Sequence, residues 1–243
     1  MRTIKKITSL LLVLTLFGMI LCSCDLIGAD PEKLVEEAEL ALNDKSYTMD
    51  MVIKYDSEGM KDAVDAFTNP KIKTTVNGDS FKIAMTFEKD GVDNGVTYTY
   101  VDGTLYTELT ELGVTTNSKA TVSEADRAKL TEKLGAGATL SIDDFSSLDT
   151  KSRGGVSVIT CTEIKDEALD SLVKALDEQL ELDAVIAIKD VTLAIQITDG
   201  LYDVTLLTCD YVITTDTETY TLTMTYAAQF KYGDVDEIKA PTF

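Results

Sequence analysis

The sequence predicts an α+β fold: one large, curved antiparallel β-sheet with helices packed on its concave side. Three observations carry that expectation. Long stretches alternate apolar and polar residues with period two, the mark of strands with one dry and one wet face. Asn-Gly and Asp-Gly dipeptides fall between such stretches, where two-residue hairpin turns need positive φ. Shorter stretches of 3.6-residue periodicity supply amphipathic helices that can cover the dry face.

The first of these helices follows Asp30, a good N-cap, with Pro31 suited to the first helical position. Leu34, Val35, Ala38, Ala41 and Leu42 share one face, flanked by Glu32, Glu36, Glu37 and Glu39. A strand follows, with Tyr47, Met49, Met51, Ile53 and Tyr55 on one side. Residues 56–70 are ambiguous, since Met60, Val64 and Phe67 have helical spacing between Gly59 and Pro70. Residues 71–76 form a short strand that turns at Asn77-Gly78 into Phe81, Ile83, Met85 and Phe87. Val96, Tyr98 and Tyr100 continue the pattern to Asp102-Gly103.

Ser123 and Asp126 resemble a capping box, with Leu130 and Leu134 on one helical face and Gly135 as a stop. A strand near 156–164 leads to a helix over 166–182, striped by Leu169, Leu172, Val173, Leu176 and Leu180. The last third is strand: Val191, Leu193, Ile195 and Ile197 run to a turn at Asp199-Gly200, and residues 201–213 run back. The closing strand sets Tyr220, Leu222, Met224, Tyr226, Ala228, Phe230 and Tyr232 against a threonine-rich opposite face. No segment rich in Pro, Gly or Ser divides residues 30–243, so they are read as a single domain.

Ahead of that domain, Arg2, Lys5 and Lys6 precede an apolar run from Ile7 to Cys22. This is the pattern of an export signal, and the run is short for a bilayer span of about 20 residues. Leu21-Cys22-Ser23-Cys24 then resembles the lipobox of bacterial lipoproteins. The resemblance implies a signal peptide over residues 1–23, acylation of Cys24, and a short linker over 24–29. It places the chain on the outer face of a cell membrane, held by lipid. Acyl anchoring is firm once two or more chains are attached.

The net charge is −20, and the signal segment contributes only positive groups, so the rest is more acidic still. Such a surface repels nucleic acid and anionic headgroups. The chain has no histidine, which excludes histidine-dependent triads and removes the commonest general base. Acidic clusters such as Asp143-Asp144 and Asp234-Val235-Asp236-Glu237 lack calcium-loop spacing and read as solvated surface. No catalytic residue, metal ligand or cofactor motif is nominated, and a non-enzymatic role is expected. Cys161 and Cys209 both fall in strands. Outside the cytoplasm they can pair, or they can serve as half-buried free thiols.

The lipobox, opening helix, antiparallel strands, interposed helices and closing segment Tyr232-Gly233-Asp234-Val235-Asp236-Glu237-Ile238 together resemble the LolA/LolB-like half-barrel carriers. They also resemble the LppX/LprG-type lipid-binding lipoproteins of mycobacteria. That resemblance implies a half-barrel whose sheet and helices enclose an acyl chain or another hydrophobic ligand. The expected lining is Tyr47, Met49, Met51, Phe81, Met85, Phe87, Tyr98, Tyr100, Tyr220, Leu222, Met224 and Tyr226. Methionine is flexible and polarizable, which suits an irregular apolar guest. The same stripes also suit a filled core, and with it an interaction or sensor lipoprotein that binds an envelope protein.

Overall fold

The computed structural model describes residues 30–57, 70–89, 91–123, 126–127, 140–180, 185–216 and 218–242. The signal segment, Cys24, Met60, Val64, Phe67, Leu130, Leu134 and Gly135 lie outside them, as do the side chains of Leu176 and Leu180. Eleven strands form one antiparallel sheet. They are β1 (Tyr47–Asp56), β2 (Lys71–Asn77), β3 (Ser80–Lys89), β4 (Val92–Val101), β5 (Thr104–Glu111), β6 (Val114–Thr121), β7 (Phe145–Arg153), β8 (Val156–Ile164), β9 (Val185–Thr198), β10 (Leu201–Thr214) and β11 (Thr219–Tyr232). Among the described residues two helices accompany them, α1 (Pro31–Asn43) and α2 (Asp166–Leu180), with a 3-10 turn at Ile142–Asp144.

The spatial order is β6-β5-β4-β3-β2-β1-β11-β10-β9-β8-β7. The chain meanders outward from β1 to one edge, then begins again at the opposite edge and meanders inward to β11. The two halves join where β1 pairs with β11, from Tyr47 opposite Tyr232 to Asp56 opposite Thr223 without a bulge.

This order corrects the half-barrel. The sheet is open and is not curled into a cup, and β6 and β7 are its edge strands among the described residues. Nor do the described helices cover its middle: α1 packs on β10 and β7, and α2 on β9. The physical reason lies in β6, whose sequence VTTNSKAT offers no apolar side to bury and whose eight residues are all exposed. A sheet curls around helices only where burial rewards it.

The main core lies between the helices and β7–β10. Val35 and Ala38 of α1 meet Ile142, Phe145, Ile159, Cys161, Ile188, Val191, Leu193, Ile195, Ile197, Leu207 and Cys209. Ile159 and Cys161 are completely buried. The helix start is as expected, since the Asp30 carboxylate accepts a hydrogen bond from the Glu32 amide at 3.1 Å. A second, smaller core of Phe81, Ile83 and Tyr100 sits under β2–β5, closed by Ile72, Val76, Leu105 and Val122.

The hairpin turns follow the dipeptides with one shift. Asp102-Gly103 and Asp199-Gly200 are two-residue turns with positive φ at both positions. The β2–β3 turn, however, is Gly78-Asp79, because Asn77 pairs with Ser80. Asn77 instead donates through its side-chain amide to the carbonyl of Val235, tying the closing tail to the sheet. Close packing also fixes Gly95 on β4, where a Cβ would run into the Met85 carbonyl oxygen.

Candidate functional site

Residues paired across antiparallel strands share a face, so the register decides which side chains gather. Starting from β11, Leu222 faces Tyr211, Met224 faces both Cys209 and Tyr55, and Tyr226 faces both Leu207 and Ile53. From β1, Met51 lies opposite Ile72, which lies opposite Met85, which lies opposite Val96. Phe81 opposes Tyr100, Ile83 opposes Tyr98, and Phe87 opposes Asn94. Tyr47 opposes Val76 and Met49 opposes Thr74. Tyr220 opposes Ile213 on the same side. All twelve expected lining residues therefore occupy the face on which the helices pack.

They do not do the same thing there. Phe81 and Tyr100 stack at 5.3 Å within the smaller core, and both are buried. The Arg127 guanidinium lies 5.6 Å from the Tyr100 ring centre and reaches Asp79 at 2.9 Å. It follows a real cap, in which the Asp126 amide donates to the Ser123 hydroxyl. Leu222 is buried, and Met224 and Tyr226 pack against the helix-side core. The Tyr211 hydroxyl donates to the Met224 sulfur at 3.3 Å. Tyr47 belongs to an aromatic corner with Phe230 and Tyr232, whose centroids lie 5.9 and 6.3 Å away. Tyr220 sits at a strand end and donates to Glu218. Met49, Met51, Met85, Phe87 and Tyr98 remain, with Ile53 and Ile72 among them, all half-buried. They form an apolar field on β1–β4 beside the described helices, not beneath them.

Cys161 and Cys209 are free, buried thiols. Pairing, left open by their spacing, is blocked by the topology. Cys161 lies on β8 and Cys209 on β10, with β9 between them. Two inter-strand steps of about 4.8 Å exceed the span of a disulfide.

A cavity of about 440 Å³ opens elsewhere, between the ends of β8 and β9. It is lined by Thr162, Glu163, Ile164, Ile188, Lys189, Asp190, Val191 and Thr192. The two strands pair as far as Cys161 opposite Leu193 and then part. A bulge in β9 explains the parting. Thr208 pairs with Thr192 but Asp210 pairs with Lys189, so β9 carries one residue too many for β10. Asp190 at the bulge has φ +50°, and Glu163 across the gap has φ +59°. Bulges bend a strand and sharpen its twist, which swings β9 away from β8. A sequence signal for this was present. The apolar positions run 186, 188 and then 191, 193, 195, 197, a change of phase at Lys189-Asp190.

Burial raises the tyrosines of the site above their ordinary range, to about 12 for Tyr226 and for Tyr232. Tyr202 and Tyr211 move in the same direction for the same first reason. These phenols stay neutral and act as apolar surface with a hydrogen-bonding tip. The Tyr232 hydroxyl, for example, donates to the Tyr202 carbonyl at 2.8 Å. Among the described residues no group of His, Cys, Asp or Glu is arranged to hold a metal ion.

No family model matches the chain, and no curated protein matches it. Solved structures align only loosely. The MucA/MucB complex of Pseudomonas aeruginosa aligns at 8% identity, over 82% of this chain and 93% of that one, with a TM-score of 0.14. A structure of MucB in complex with MucA(peri) aligns at 8% identity, over 85% and 100%, with a TM-score of 0.13. Likeness at that level carries no argument about this chain.

Proposed function

We propose that this chain is a membrane-tethered, non-enzymatic lipoprotein that holds a lipid or another hydrophobic ligand against the apolar field of β1–β4. The tether is the lipidated Cys24, at the outer face of a cell membrane. The observation that supports ligand binding is the half-buried set Met49, Met51, Ile53, Ile72, Met85, Phe87 and Tyr98 on one continuous face. The helix-side core is filled by its own side chains, so the ligand takes the neighbouring half. Contiguous apolar surface of this kind marks a binding site more often than chance exposure.

The absence of tryptophan provides a clean test. In Met51→Trp the single indole sits inside the field, and a fluorescent fatty-acid analogue should shift its emission and bind about tenfold more weakly than to the parent. In Lys54→Trp the indole lies on the opposite face and should report nothing. Equal responses from both variants, or none from Met51→Trp with unchanged affinity, would remove the proposed site.

A further inference from the structure

The two edges of the sheet differ in how they are guarded. On β7 the edge carries Asp149, Lys151 and Arg153, and the 3-10 turn leads directly into it. On β6 there is no proline, no bulge against β5, and one charge, Lys119. Natural sheets protect a long edge with charges, proline or bulges, because its outward amides and carbonyls otherwise recruit another strand. Beside this unguarded edge, the β5–β6 hairpin holds three of the five large apolar side chains that stand exposed among the described residues: Leu109 at 37%, Leu112 at 79% and Val114 at 65%.

We infer that β6 is a docking edge for a second copy of this chain, joining two sheets antiparallel about a two-fold axis at Ser118. The hairpin fixes which residues of β6 face outward, and covering Val114 then selects the register. The two-residue turn Leu112-Gly113 closes on the pair Glu111 and Val114. In such turns that flanking pair is hydrogen-bonded, so Val114, Thr116, Ser118 and Ala120 direct their backbone groups to β5. Thr115, Asn117, Lys119 and Thr121 direct theirs outward. Pairing outward residues with outward residues allows a register centred on Ser118, with Thr115 opposite Thr121, Asn117 opposite Lys119, and Ser118 opposite its own counterpart. No charge meets its like. The remaining pairs set Thr116 against Ala120 and bring Val114 to Val122, covering apolar surface that one copy leaves wet. An acid-free strand is also where two copies of a chain with net charge −20 repel least. The inference is independent of the ligand proposal, since β6 lies beyond the apolar field.

The test is cysteine cross-linking of the full chain in its membrane. Ser118→Cys places two thiols in a non-hydrogen-bonded pair, whose Cα atoms stand about 4.5 Å apart, within disulfide reach. It should give a reductant-sensitive homodimer on mild oxidation. Thr115→Cys alone should not, because its counterpart lies six residues along the partner strand, about 20 Å away. Thr115→Cys and Thr121→Cys chains expressed together should cross-link. Adding Asn117→Pro to Ser118→Cys removes one outward amide, leaves the β5 ladder intact and should abolish the dimer. No homodimer from Ser118→Cys, equal cross-linking at 115 and 118, or capture of a different protein at 118 would each overturn the inference.

Discussion

Leu112 shows how much a single side chain can reveal. It is a bulky residue at φ +50° in a tight turn, a conformation that costs an L-residue roughly 1–2 kcal/mol. The turn is held by Asn94, a buried side chain on β4. Its carbonyl oxygen accepts the Leu112 amide at 2.8 Å, and its amide group donates to the Val92 carbonyl at 2.9 Å. Asn94→Ala leaves those groups unpaired and should lower stability by about 1–3 kcal/mol in urea titration. Leu112→Asn should raise it by about 1 kcal/mol, since Asn tolerates the left-handed region. Equal effects of the two substitutions would contradict this account of the turn.

The buried phenols and thiols belong to the same scale. Burial holds Tyr226 and Tyr232 near 12 and Cys161 near 11, against ordinary values of 10.0 and 9.0. Folded values above unfolded ones mean that the unfolded chain loses its protons first as pH rises. The stability these groups contribute is complete below about pH 9. It falls as pH climbs through the unfolded values and on to the folded ones. The urea midpoint should therefore decline between about pH 9 and 12, and Cys161→Ala should flatten the lower part of that decline. A midpoint independent of pH up to 11 would show that these side chains are not buried as described.

At the scale of elements, the bulge at Asp190 is the most consequential feature of β9. Because side chains alternate along a strand, the extra residue lets Ile188 share the core of Val191 and Leu193 and buries Ile186 on the same face. Deleting Asp190 should turn both isoleucines outward. Each forfeits about 1.5–3 kcal/mol of burial, so the loss should reach roughly 3 kcal/mol or more. The 440 Å³ cleft should also close as β9 straightens against β8. Asp190→Gly should do neither, because it keeps the bulge and relieves its positive φ. A deletion variant as stable as the parent would mean that the bulge does not set the phase of β9.

The elements also mark where the sequence was readable. The strands β1, β3, β4 and β11 were legible because each has one dry face, which imposes period two on apolar residues, and β9 keeps that period although Ala194 and Gln196 on its other face are buried too. Three strands, β5, β6 and β7, were not. The β5–β6 turn is Leu112-Gly113, which lacks the Asn or Asp that advertises a hairpin, and β6 is wet on both faces. In β7, the sequence FSSLDTKSR buries Phe145 and half-buries Leu148, too few apolar positions to show a period. The change of phase in β9 lies at Lys189-Asp190, where Ile186 and Ile188 fall out of step with the alternation from Val191 onward.

For the whole molecule, local signals could not supply the arrangement. Which strand pairs with which is decided by contacts between β1 and β11, far apart in sequence, and nothing in either strand names its partner. The half-barrel expectation failed at this scale. Helices and an apolar face were both anticipated, but the described helices fall on β7–β10 and leave β1–β4 beside them. The candidate residues were legible as a face, because the register is a period-two property, while their division into packed and half-buried groups was not. Phe81, Tyr100 and Leu222 are consumed by cores that form only once the topology is set.

The central claim is that the half-buried methionine face of β1–β4 holds a hydrophobic ligand. Its most direct measurement is organic extraction and mass spectrometry of an exported, non-acylated form spanning residues 25–243, purified without detergent. The account predicts a reproducible, near-stoichiometric lipid, lost when Met51 and Met85 are both replaced by Lys in a chain that stays folded. A lipid-free protein whose thermal stability ignores added lipids would contradict it.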